Sequence, residues 1–143
     1  MTGLIDTGLG FKFEYCLSGK AYPLVQKLKF KDSETLTKGD LVNLESGEVD
    51  LAATNDAALL GAVLETKAGT DSTTEIEVIV DVDAVYSVYD PNVRLAGATL
   101  DIAGATGAMT VAASSNADLI VVAPSTAAER TFVRITPAEH AYA

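Results

Sequence analysis

Glu75-Ile76-Glu77-Val78-Ile79-Val80-Asp81-Val82-Asp83 carries the clearest structural signal in the chain. Ile76, Val78, Val80 and Val82 fall on one side of an extended segment. Glu75, Glu77, Asp81 and Asp83 fall on the other, with Ile79 as the exception. A period of two means one buried face and one wet face, the pattern of a strand in an antiparallel sheet. Ala84 to Tyr89 continues or pairs with this strand, and Asp90-Pro91-Asn92 turns the chain.

Upstream, Leu24 to Phe30 reads as a strand. Thr37-Lys38-Gly39-Asp40 is a turn into Leu41 to Leu44, and Ser46-Gly47 turns the chain into Glu48 to Leu51. The apolar run Ala58 to Leu64 contains Gly61, where a bulge or a close backbone approach is expected. Downstream, Gly97 to Ile102 and Ala108 to Val111 form a hairpin across Gly104 and Gly107. Leu119 to Ala123 and Thr131 to Ile135 are the last strands. Only Ser33 to Thr37 and Ser125 to Glu129 have room for a short helical turn. Many short strands at regular spacing predict an all-β fold. We expect a small β-barrel or β-tulip-like domain over 20–136, with a lobe boundary near 91–93 and an additional C-terminal β-lobe. Residues 137–143 are expected to be a solvated tail.

Residues 1–19 read as an extended N-terminal arm, because Gly3, Gly8, Gly10 and Gly19 break any helix. Within it Phe11, Phe13 and Tyr15 alternate with Lys12 and Glu14, which puts three aromatics on one face of an extended segment. Such a face lies either on its own domain or on a neighbour. Phe11, Phe13 and Tyr15 are therefore the candidate contacts with a partner or a neighbouring subunit.

Composition excludes several classes of function. Hydrophobic residues are 48% of the chain, too many for a disordered protein, yet there is no Trp and aromatics are 6%, which argues against a large aromatic-lined pocket. The net charge of −10 is uneven: residues 1–50 hold six Lys against eight acids, and residues 51–143 hold four basic residues against twelve acids. Such a body repels nucleic-acid phosphates and anionic lipid, so neither nucleic acid nor membrane is an expected partner. Cys16 is the single cysteine, which precludes an intrachain disulfide. No signal-peptide pattern opens the chain, and synthesis in a cytoplasm is expected.

The residues that could carry chemistry are few. His140 is the only histidine and falls in the expected tail, so no Ser-His-Asp set and no two-His zinc site is expected. Cys16 has no predicted base beside it and reads as a packing residue. Asp81 and Asp83 share a face of the predicted strand. With Glu77 or Asp101 across a sheet they could bind Ca²⁺ or act as a carboxylate pair, while an acidic wet face is the plainer reading. The glycines at 8 and 10 do not sit between a buried strand and a helix, so they make no phosphate loop. No catalytic residue, cofactor or metal is expected.

The stretch Gly39 to Pro91 resembles the head decoration (cement) proteins of lambda-like tailed bacteriophages. Thr37 to Val42 is similar to the opening turn and strand of that family. Asn55 to Leu64 is similar to its apolar segment around a glycine, and Asp71 to Val80 to its Ser/Thr-rich turn and next strand. Tyr86, Val88 and Pro91 fall where the family closes its domain. The resemblance implies a virion protein that binds the major capsid protein on the outer capsid surface. It also implies a homotrimer that clamps capsid subunits in the expanded head, often through an N-terminal arm. Residues 92–143 have no clear counterpart in short members. A tail-tube or fibre domain is the nearest rival reading; a carbohydrate-binding module would want more exposed aromatics than Tyr86 and Tyr89.

Overall fold

The computed structural model describes residues 8–20, 22–31, 33–54, 56–69, 74–124 and 129–143. Strands take up 49% of the described residues. In order they are β1 (Lys12–Cys16), β2 (Val25–Phe30), β3 (Thr35–Leu36), β4 (Leu41–Glu45), β5 (Glu48–Leu51), β6 (Leu59–Ala62) and β7 (Lys67–Ala68). Then come β8 (Glu75–Ile79), β9 (Ala84–Tyr89), β10 (Thr99–Ala103), β11 (Thr110–Ala113), β12 (Leu119–Ala123) and β13 (Arg130–Ile135). The protein is all-β, as the alternating segments predict.

One sheet runs β6-β4-β5-β2-β8. Its two ends meet: Val63 bridges Val78, and the Leu64 N–H donates to the Glu77 carbonyl at 3.0 Å. The sheet therefore closes into a small barrel. Phe30, Val42, Val49, Leu60, Val63, Ile76 and Val78 form its core, and Leu36 from the β3–β7 ribbon joins them. The β4–β5 hairpin turns on Ser46 and Gly47, both at positive φ (51° and 83°), the two-residue turn whose twist matches paired strands.

The second sheet runs β1-β9-β13-β12-β10-β11. Its inner face packs on the outside of the barrel. Tyr86, Val88, Leu100, Ile102, Leu119, Val121, Val133 and Ile135 meet Leu41, Leu59, Ala62 and Ile79 there. Alternation makes both cores possible, since Leu41 and Val42, Leu59 and Leu60, or Val78 and Ile79 point to opposite faces of one barrel wall. Gly61 sits where β6 meets β8 in the barrel wall, against Tyr86 of the second sheet. A Cβ there would lie 2.0 Å from the Ile79 carbonyl oxygen and 2.7 Å from the Tyr86 hydroxyl. The ladder shifts register beside it, between Val42 and Asn43.

Several expectations are corrected. β8 ends at Ile79, and the chain changes sheets through Asp81–Asp83, so these carboxylates lie in a turn and Asp81 is buried. Residues 92–143 are no separate lobe: their strands complete a sheet whose other members, β1 and β9, come from before Pro91. Thr35–Leu36 is a strand rather than a helical turn; residues 125–128 of the second candidate turn lie outside the described residues.

The C-terminal segment is packed, not a solvated tail. After a 3-10 turn at Pro137–Glu139, the Ala141 N–H donates to the Leu59 carbonyl at 2.7 Å, and the Tyr142 hydroxyl bonds the Gln26 side chain at 2.9 Å. His140 is buried, and its Nδ1 accepts the Tyr142 N–H at 3.0 Å. Burial holds the imidazole pKa below its ordinary 6.5. Arg134 pushes the same way, while the backbone of Leu60 and Asp81 opposes both. On acidification the unfolded chain therefore takes up this proton before the folded protein does. His140 is expected to contribute stability that is complete above about pH 6.5 and is lost as pH falls through the folded-state value. Urea denaturation between pH 8 and 5 should show this decline, and His140→Gln should flatten it.

Candidate interaction surface

β1 is one outer strand of the six-stranded sheet. β1 pairs with β9, and a bulge between Phe13 and Tyr15 shifts the register. The bulge separates the three aromatics that strict alternation puts on one face. Phe11 is buried in the core between the layers, Phe13 is half-buried against it, and Tyr15 is exposed. Phe11 and Phe13 both meet the Tyr86 ring edge-on with centroids 6.4 Å away, whereas Tyr15 leans on Phe132. Residues 8–16 thus pack on their own domain, one of the two settings the sequence leaves open. Residues 1–7 of the expected arm lie outside the described residues.

Buried polar groups hold this segment in place. Arg130 donates to the carbonyls of Gly8 (2.6 Å) and Ser87 (2.9 Å), and the Ser87 hydroxyl donates to Glu14 at 2.6 Å. At the far end Asp81 accepts from the Lys20 ammonium, the Leu24 N–H and the Cys16 thiol, while Asp83 accepts the Ser18 N–H at 2.8 Å. Beside β1 a groove of about 490 Å³ runs past Leu9, Phe11, Lys38, Leu64 and Arg130.

The donor atoms of Cys16, Asp81 and Asp83 lie within 4.8 Å of one another, the spacing of a three-ligand cation site. The surroundings do not suit a resident cation. The Lys20 ammonium already neutralises Asp81, and the Leu24 N–H takes part of its acceptor capacity. Burial, then the negative charges of Asp81 and Asp83, push the Cys16 thiol up to about 11. Glu77 lies in the barrel wall on β8, and Asp101 on β10 holds the turn at Ser115–Ala117 instead. At pH 8 Cys16 is expected to react with iodoacetamide at least about 100-fold more slowly than an unhindered thiol, since the thiolate is the reactive form. Mass spectrometry of the alkylation time course checks this.

The outer surface of the same segment is unusually apolar. Tyr22 is 84% exposed and Leu24 is 56% exposed, with Leu17 and Tyr15 also exposed nearby in sequence. The Leu17 N–H bonds the Asp83 carbonyl and the Leu24 N–H bonds the Asp81 carboxylate, so both leucines flank one turn. Alternation flags only Tyr15 here. Leu17, Tyr22 and Leu24 follow no period, and the signal that marks them is large apolar residues set around the chain breakers Gly19 and Pro23. Together these features define a two-layer β domain with a pinned edge segment and an apolar rim. Its fold is similar to the base of a phage head fibre, the head fiber gp8.5 N base of bacteriophage phi29. The TM-score is 0.50 at 13% identity, over 81% of this chain and 98% of that one. No family model matches the chain, and no curated protein matches it.

Proposed function

We propose that this protein is a non-enzymatic structural component of a tailed-phage virion and sits on the outer surface of the head. The observation that carries the reading is the fold shared with a phage head-fibre base across most of both chains. The head decoration resemblance at Gly39 to Pro91 supports it independently. In this reading the surface formed by Tyr15, Leu17, Tyr22 and Leu24 lies on the major capsid protein, with the acidic body facing outward. Clamping of capsid subunits and association as a homotrimer are what the decoration resemblance adds. The likeness to a fibre base favours a second reading, in which the domain is the foot of an appendage. Both place the same domain on the head.

Co-sedimentation of the purified protein with heads lacking it tests the reading, and protein that stays in the supernatant would refute it. Burying one exposed Leu or Tyr contributes about 1.5–3 kcal/mol. Tyr22→Ser with Leu24→Asp should therefore weaken binding at least about 10-fold without lowering the melting temperature. Unchanged binding by this double variant would move the contact elsewhere on the domain.

A further inference from the structure

The six-stranded sheet has two outer strands, and they are guarded differently. β1 carries Lys12 and Glu14 and is bulged, the usual defences of a sheet edge. The ends of the barrel sheet meet through Val63 and Val78, and the β3–β7 ribbon carries Lys67. β11 has none of these. Its strand neighbour is β10, and the outward backbone groups of Thr110–Ala113 have no partner among the described residues. Residues 102–117 hold no Asp, Glu, Lys or Arg and form the longest uncharged run in a chain that is 21% charged.

The strand is also held ready. Met109, just before it, is fully buried, and its carbonyl accepts the Gly10 N–H at 2.9 Å. Just after it, the Asp101 carboxylate accepts the N–H groups of Ser115, Asn116 and Ala117 at 2.9–3.0 Å. Ala112 and Ala113 are exposed and small, so another strand can approach closely. Anchoring at both ends leaves little ordering cost for such an approach.

We propose that β11 is a docking edge for a second copy of this chain, pairing antiparallel with its own counterpart across a two-fold axis. Charge selects the occupant. At a net −10, copies repel over most of their surfaces. A two-fold pairing centred on Ala112 sets this residue opposite its own counterpart, and no charge lies on either strand. The edge is four residues long, so it buries far less than the roughly 1,200–2,000 Å² of a stable interface. Copies separate when dilute and pair where a surface concentrates them. This contact does not depend on the virion reading, and a threefold association would use other surfaces.

Cys16 is buried with its thiol pKa raised, so an introduced exposed thiol is expected to report alone. In concentrated protein, Ala112→Cys should oxidise to a covalent dimer at least about 10-fold faster than Ser46→Cys, a thiol on an exposed turn. Sedimentation equilibrium at high concentration should show wild-type mass rising in steps of two, and Ala112→Lys or Ala112→Glu alone should abolish the step. Mixing the Lys and Glu variants should restore it. Equal oxidation rates, or a wild-type association that survives Ala112→Lys, would overturn the proposal. So would protection of 110–113 from hydrogen exchange that appears only when phage heads are added, which would assign the edge to the particle.

Discussion

Replacing Gly61 with alanine is expected to cost about 3–5 kcal/mol of stability, a large share of the roughly 5–15 kcal/mol available to a domain. The cause is space. The added methyl would stand 2.0 Å from the Ile79 carbonyl oxygen and 2.7 Å from the Tyr86 hydroxyl. The nearer atom is backbone of β8, in the same barrel wall, and cannot rotate away, so β6 and β8 must move apart. That movement loosens the bond from the Ala62 N–H to the Tyr86 hydroxyl, now 3.3 Å, and opens the core on both sides of Tyr86. At about 2–4 °C per kcal/mol the melting temperature should drop by about 6–20 °C. A urea midpoint giving a loss under about 1 kcal/mol would mean β6 and β8 are not in contact at Gly61.

Phe11→Ala is expected to cost about 3–5 kcal/mol, the range for deleting a buried aromatic. Phe11 is 2% exposed, its ring meets Tyr86 edge-on, and its N–H donates to the Gly39 carbonyl at 2.8 Å. Tyr15→Ala should cost less than about 1 kcal/mol, because that side chain is 39% exposed and has one aromatic neighbour. The pair separates two roles within one strand. A Phe11→Ala protein that melts normally but no longer binds heads would make Phe11 an external contact, as the decoration resemblance implies.

The strands themselves were legible. Alternation located β2, β4, β8 and β13, glycine and polar turns located the hairpins at Ser46-Gly47 and Gly104 to Gly107, and Gly61 announced the close approach. The candidate surface was legible only in part. Tyr15 stood out by period and is exposed, but Phe11 stood out by the same rule and is core. The bulge at Glu14 is invisible to a period-two reading, and Leu17, Tyr22 and Leu24 obey no period at all. His140 read as solvent-facing because it lies near the end of the chain; it is buried because Ala141 completes a bridge to Leu59.

Local pattern and composition thus determined that this chain is all-β and acidic, because which face of a segment is apolar depends on residues two apart. Only the tertiary structure decided that the chain changes sheets at Asp81–Asp83, that β2 runs parallel to β5, and that β1 joins β9. Each of these is a choice of partner. Face alternation leaves partners undetermined, since any strand with one apolar side satisfies it. Here contacts distant in sequence make the choice: Asp81 gathers Cys16, Lys20 and Leu24, and Arg130 holds Gly8 and Ser87. A buried charge must find its partners wherever the chain brings them, and that requirement appears only when the chain is folded.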